Sequence, residues 1–217
     1  MLTKQNKFTK FVYTNNLLMK FKITLNINRK YGDLLPFNYQ YEQSAVIYRI
    51  LAQADTQYAS WLHENGYLLN GSKRFKLFCY SPFIFDKVRP LPEAGCLKII
   101  GERAVWYISF IPEKSTLEFI QGIFAHQSFT IGNKKHRVAF DIVGVEAIPM
   151  PQLSEEMTFV ALSPICVKLH EDNKTQYLSP DNPMFAEGIL KGLKARYESI
   201  HGQPFDMNDK EFSFELT

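Results

Sequence analysis

The sequence predicts an α+β chain made of two consecutive units, and three observations carry that expectation. Between residues 19 and 150, strand-like alternation and helix-like periodicity follow one another as strand, helix, strands, helix, strand. After the loop holding Pro149 and Pro151 the succession begins again with a strand signal and a long helix signal. Over 217 residues, 46% hydrophobic and 14% aromatic content is enough to pack a core.

Residues 1–18 alternate Lys, Asn and Thr without periodicity and read as a basic flexible extension, with Met19 a candidate start. In KFKITLNIN, Phe21, Ile23, Leu25 and Ile27 fall on one face and Lys22, Thr24, Asn26 and Asn28 on the other, the mark of a half-buried strand. After Asn38, an expected N-cap, the apolar stripe Val46, Ile47, Ile50, Leu51 and Ala54 has helical spacing. A second short helix is capped by Asp55 or Thr56, buries Tyr58, Ala59, Trp61 and Leu62, and stops at Gly66. FKLFCY then reads as one strand with Phe75, Leu77 and Cys79 on a common face, and CLKII and AVWYISFI as a hairpin joined at Gly101-Glu102. Pro112 opens a helix with the stripe Leu117, Ile120, Ile123 and Phe124, and a hairpin turning near Gly132-Asn133 delivers HRVAFDIVGVEAI.

That order is ferredoxin-like (RRM-like), with both helices on one face of an antiparallel sheet. Such sheets serve RNA-binding modules, many unrelated enzymes and subunit interfaces, so the fold alone assigns no function. In the second unit, TFVALSPICVKL reads as a strand interrupted by Pro164 and HEDNKT as a turn. Asn182 caps a helix with Pro183 at its first position and the stripe Met184, Phe185, Ile189, Leu190, Leu193, Tyr197 and Ile200, ended by Gly202. EFSFELT starts a further strand. The expected organisation is therefore tandem ferredoxin-like domains, 19–150 and 151–217, with the second incomplete.

Cys79, Cys96 and Cys166 are scattered in apolar surroundings with no CxxC pair, which argues against a disulfide framework and a zinc site and fits a reducing cytoplasm. No apolar run reaches the about 18 residues of a membrane span, so no membrane partner is expected. The net charge of +3 hides an asymmetry, since residues 1–30 hold seven Lys and Arg and no acid, whereas the remaining 18 basic and 22 acidic side chains leave −4. A nucleic-acid partner must then be held by local patches. Candidates are Lys73, Arg74, Lys76, Lys87 and Arg89 around one strand, and the hairpin Lys134, Lys135, His136 and Arg137. As charge runs, either also reads as a solvated face.

Three side chains look placed for chemistry. At about 100° per residue, Tyr48 lies roughly 130° from its helix's apolar centre, and His63 about 120° from that of the second helix, so both face away from the packed side. Lys76 follows within the apolar run FKLFCY. A histidine beside Trp61 and a tyrosine on a helix flank also serve as packing residues, and the convergence of Tyr48, His63 and Lys76 is the reading that separates a catalyst from a scaffold.

In this order, LPFNYQYEQSAVIYRIL, YASWLHENGY, KRFKLFCYSPFIF, TFVALSPICVKL and PDNPMFAEGILKGLKARY together resemble the CRISPR-associated endoribonucleases of the Cas Six family, in the repeat-associated RAMP superfamily. The resemblance covers nearly everything from Met19 to Thr217. It implies tandem ferredoxin-like domains that bind CRISPR repeat RNA in a precursor guide transcript and cut it once per repeat without metal or other cofactor. It maps the catalytic set onto Tyr48, His63 and Lys76, and implies attack of a ribose 2′-hydroxyl on its own phosphate to leave a 2′,3′-cyclic phosphate. Histidine, ordinarily near pKa 6.5, suits base or acid, tyrosine near 10 a donor or orienting group, and Lys76 the charge on phosphorus. The family's glycine-rich loop, GxGxxxxxGFG, has no counterpart among the eleven glycines here, so the chain reads as ending inside its second domain, with RNA affinity reduced. Other CRISPR effector subunits and a second copy of the chain are further candidate partners. The rival readings are a non-catalytic RNA-binding RAMP subunit and a structural ferredoxin-like protein.

Overall fold

The alternating run after Met19 becomes the central strand of a six-stranded sheet. A computed structural model describes residues 19–205 apart from 70–72, 112, 150, 153, 155 and 172–173. The extension expected over 1–18, the helix start expected at Pro112 and the strand expected in EFSFELT lie outside the described residues. In chain order the elements begin β1 (Met19–Asn28), β2 (Leu34–Pro36), α1 (Gln40–Ala54), α2 (Thr56–Glu64), β3 (Tyr67–Leu69), β4 (Lys73–Phe75), β5 (Phe78–Tyr80), β6 (Ile84–Phe85) and β7 (Val88–Leu91). They continue as β8 (Cys96–Ile99), β9 (Arg103–Phe110), α3 (Glu113–Ala125), β10 (Ser128–Gly132), β11 (Arg137–Ile148), β12 (Val167–Glu171), β13 (Lys174–Leu178) and α4 (Met184–His201). The chain sorts into two compact units, Met1–His63 with Leu77–Thr158, and Glu64–Lys76 with Phe159–Thr217.

In the first unit the sheet order is β10-β11-β1-β9-β5, with β6 also on β9 and every pair antiparallel. Phe21, Ile23, Leu25 and Ile27 of β1 are buried as the alternation requires, beside Trp106, Ile108 and Phe110 of β9 and Phe140 of β11. Each such side chain contributes roughly 1.5–3 kcal/mol on burial, so this face is the core. α1 and α3 pack against each other, and a Cβ at Gly122 of α3 would meet the Ile50 carbonyl oxygen of α1 at 1.9 Å. Gly122→Ala is therefore expected to lower stability. Overpacking at a backbone contact costs about 1–3 kcal/mol, against about 1 kcal/mol gained in helix propensity. A urea midpoint that does not fall would contradict this approach of the helices.

Several local expectations are corrected. α1 starts at Gln40 with Tyr39 in the cap position and no side-chain cap bond, so Asn38 does not cap it. Asp55, by contrast, caps α2, its Oδ1 accepting from the Tyr58 amide at 2.8 Å. Trp61 is 38% exposed and stacks on Tyr58 instead of joining the buried face. In α3 the buried face is Ser115, Thr116, Phe119 and Ile123, while Leu117 and Phe124 point outward. The close approach at Gly122 explains this rotation, because small side chains must face the neighbouring helix. CLKII and AVWYISFI are not a hairpin: β8 pairs with β2 and β7 in a separate three-stranded sheet. FKLFCY is two strands broken at Lys76-Leu77, where Leu77 takes a left-handed φ of 56°.

The second unit is built on two antiparallel hairpins, β3–β4 and β12–β13, with α4 packed on both β3 and β12. Its core joins Val167, Leu178 and Phe185, flanked by Leu169 and Ile189. Of TFVALSPICVKL only Val167 onward is strand; Pro164 has no amide for a ladder, and Phe159, Val160, Leu162 and Ile165 are exposed. Asn182 Oδ1 accepts from the Met184 amide at 2.9 Å, and Gly202 closes α4 with φ 64°. Of the stripe on α4 Phe185 is buried, whereas Met184, Leu193 and Ile200 are exposed. Among the described residues no helix is long and apolar enough to cross a membrane.

Candidate active site

α1 sets Tyr48 on its flank because Gln43, Val46, Ile47, Ile50 and Leu51 take the buried side. Gln43 is fixed by its Nε2 donating to the Ser81 carbonyl at 3.0 Å. α2 is anchored at its start, where the Asp55 carboxylate pairs with Lys114 of α3 at 3.0 Å. The Tyr58 amide and then Lys114 hold the Asp55 carboxyl below the usual carboxylate range. Tyr58 and Leu62 turn inward, the Tyr58 hydroxyl bonding that of Ser115, which leaves His63 exposed on the outer flank.

Tyr48 and His63 are thereby brought together, ring centroids 4.9 Å apart with planes at 85°. Phe78 packs on Tyr48 from β5 at 5.7 Å, itself backed by Phe110 at 5.8 Å and Tyr80 at 6.4 Å. Burial, and secondarily the Tyr80 phenol, push the Tyr48 hydroxyl above its ordinary value, so it stays protonated through the neutral range.

Lys76 belongs to the second unit, directly after β4. Gly66, at φ 65°, leaves room for it: a Cβ there would meet the Phe75 carbonyl oxygen at 2.6 Å and Lys76 Cδ at 3.2 Å. Burial first and Arg74 second hold the Lys76 ammonium below the usual lysine value. Arg74 donates to the Glu64 carbonyl at 2.9 Å, and Arg196 of α4 lies 5.3 Å from the Phe75 ring. The left-handed Leu77 follows Lys76, a backbone state that costs a non-glycine residue about 1–2 kcal/mol; Leu77 is buried and its carbonyl accepts from the Ile111 amide at 3.0 Å. The structure thus pairs Tyr48 with His63 in the first unit and holds Lys76 in the second.

The expected basic cluster is not carried by one strand. Lys73 and Arg74 are exposed on β4 of the second unit, whereas Lys87 and Arg89 are exposed at and beside β7 of the first. In the turn after β10, Asn133 Oδ1 accepts from the amides of Lys135 and His136, which shapes the basic loop, and Arg137 lies 5.6 Å from the Tyr31 ring. Sequence reasoning missed Phe78, Gly66 and Arg196. Phe78 lies inside a run whose composition reads as one continuous strand, Gly66 reads in the sequence only as a helix stop, and no sequence signal marks Arg196 beside Phe75. Among the described residues no three His, Cys, Asp or Glu side chains gather to hold a metal.

Residues 34–140 match the family described as CRISPR-associated protein Cas6, N-terminal, and residues 148–217 the family described as CRISPR associated protein Cas6, C-terminal. CRISPR-associated endoribonuclease Cas6 1 of Methanocaldococcus jannaschii is 28% identical over 199 residues, 90% of this chain and 71% of that protein. CRISPR-associated endoribonuclease Cas6 of Pyrococcus furiosus is 25% identical over 183 residues, 84% of this chain and 63% of that protein. Among solved structures, one described as an RAMP protein binding different RNA substrates superposes with TM-score 0.68 at 25% identity, covering 87% of this chain and 74% of that one. Another, described as CRISPR associated protein Cas6, gives TM-score 0.63 at 25% identity over 88% of this chain and 74% of that one. These likenesses define an α+β protein of the RAMP class, consistent with tandem ferredoxin-like units. The chain belongs to the Cas6 family of CRISPR-associated endoribonucleases.

Proposed function

We propose that this protein binds CRISPR repeat RNA and cuts precursor transcripts into guide RNAs by a metal-independent transesterification. The observation that supports it most is the Tyr48–His63 pair at 4.9 Å in a chain whose relatives are named endoribonucleases. In the reaction the ribose 2′-oxygen bonds to the adjacent phosphorus, the P–O5′ bond breaks, one proton leaves the 2′-hydroxyl and one reaches the 5′-oxygen. The products are a 2′,3′-cyclic phosphate and a 5′-hydroxyl. His63 is assigned the proton at the 2′-hydroxyl, and Tyr48, kept protonated by burial, donates at or orients the leaving oxygen. Lys76, partly desolvated, is assigned the developing phosphorane charge, where a cation counts for more than in bulk water.

The second reading is a RAMP subunit that binds RNA without cutting it, favoured by the neighbour described as binding different RNA substrates. A repeat RNA with a 2′-deoxy nucleotide just upstream of the cut separates the two. It is expected to bind with unchanged affinity and resist cleavage, since only the nucleophile is lost. Cleavage of the deoxy RNA at the rate of the unmodified RNA would overturn the mechanism, and an unmodified RNA that is bound but never cut would favour the binding subunit.

A further inference from the structure

Where β1, β10 and β11 meet α1, the first unit forms a half-open cavity of about 420 Å³ that none of the assigned chemistry uses. Its size falls in the roughly 300–1,000 Å³ of small-ligand sites. Val46, Ile50 and Phe129 form its apolar floor, and Lys30, Arg49 and Tyr31 stand at its rim. Arg49 is held there by donation from Nη2 to the Thr130 carbonyl at 3.2 Å.

Tyr31 is unusual for a ring that buries little: it is 49% exposed and carries a cation on each of two contacts, Lys30 Nζ at 5.4 Å and Arg137 Cζ at 5.6 Å from its centroid. It is presented by an ordered turn. Asn28 Oδ1 accepts from the Lys30 amide at 3.1 Å, and Arg29 donates to the carbonyls of Ile99, Ile100 and Gly101, each at 3.1 Å. Among the described residues no carboxylate pairs with Lys30, Arg49 or Arg137. Asp141, the acid in the lining, accepts from Asn28 Nδ2 at 3.1 Å, and His126 adds a further polar ring. An apolar floor, an exposed aromatic face and cations without acidic partners fit a ligand with both a π-face and a negative charge.

We infer that this cavity is a second contact for single-stranded RNA, taking one nucleotide with its base against Tyr31 and its phosphate between Lys30 and Arg49. The inference rests on the reading of the chain as a protein of repeat RNA. Tyr48 and Arg49 are consecutive on α1, but Val46, Arg49, Ile50 and Gln53 share one flank and Tyr48 lies about 150° from its centre. A nucleotide in the cavity therefore sits across the helix, about 10–12 Å wide with side chains, from the proposed reacting phosphate. It is a nucleotide other than the one being cut, and it would fix the register of the strand.

The test uses the full chain, repeat RNA made uncleavable by the 2′-deoxy substitution, and the variants Tyr31→Ala and Arg49→Gln, each checked for unchanged thermal unfolding. Tyr31→Ala is expected to raise Kd about five- to a hundredfold, the usual worth of one stacked base. Arg49→Gln is expected to reduce the slope of log K against log salt by about 0.7, one phosphate contact. With 4-thiouridine in the RNA, Tyr31 is expected to cross-link. Unchanged Kd and salt slope in both variants, or no RNA binding by the unmodified chain, would overturn the inference. So would adenosine monophosphate occupying the cavity while the RNA leaves Tyr31 uncross-linked, which would make it a mononucleotide site. Cleavage of unmodified RNA, run in parallel, scores the nuclease reading separately: RNA left uncut with Tyr31-dependent affinity sinks that reading and keeps the cavity, while RNA cut with affinity indifferent to both variants does the reverse.

Discussion

His63→Ala is expected to slow single-turnover cleavage of the repeat RNA by about 10²- to 10⁴-fold while leaving its affinity nearly unchanged. The reason is positional. His63 stands on the outer flank of α2, exposed, with its ring centroid 4.9 Å from that of Tyr48, whereas Tyr58 and Leu62 hold the helix to the core. Removing the imidazole then deletes a proton carrier without deleting the packing that holds α2. Rate and Kd measured on the same RNA decide the matter. A variant that cuts at the parental rate would make His63 a packing residue, and one that loses rate only through unfolding would show it in its thermal melt.

Lys76→Ala is expected to lower both rate and affinity, because a phosphate contact and the stabilisation of the transition-state charge disappear together. The pH dependence adds a sharper sign. Burial holds the Lys76 ammonium below the usual lysine value, so its charge is lost at lower pH than in an ordinary lysine, and the alkaline limb of the rate profile should fall correspondingly early. In Lys76→Arg, where the cation cannot be deprotonated, that limb should move to higher pH. Stability runs the other way. Between the folded and unfolded values of Lys76 the unfolded chain binds more protons, so stability should rise with pH across that window and show no such rise in Lys76→Arg. A rate profile identical for lysine and arginine would remove Lys76 from the reaction.

The parts of the fold legible in the sequence are those set by local period. β1 alternates because one face is buried, where Phe21 meets Phe119 of α3, and the stripes of α1 and α2 place Tyr48 and His63 on outward flanks before any contact is known. What escaped depends on partners distant in sequence or on single backbone angles. β8 pairs with Leu34–Pro36, sixty or more positions upstream, which no adjacent hairpin signal reveals. The left-handed Leu77 ends a run whose composition reads as one strand, and so moved Lys76 out of the strand in which it was expected. The exposed face of α3 departs from its apolar stripe because Gly122, silent in a hydrophobic pattern, decides which side approaches α1. Tyr31 carried no periodic signal, and its significance comes from Arg49 and Arg137, which only the folded sheet and helix bring beside it.

The most direct measurement is the mass of the upstream fragment when the protein is incubated with its repeat RNA in EDTA. A fragment ending in a 2′,3′-cyclic phosphate, formed as fast with the chelator as without it, is expected from the roles proposed for Tyr48, His63 and Lys76 in attack by the substrate's own 2′-hydroxyl. A fragment ending in a 3′-hydroxyl, or activity lost to EDTA and restored by a divalent ion, would contradict it.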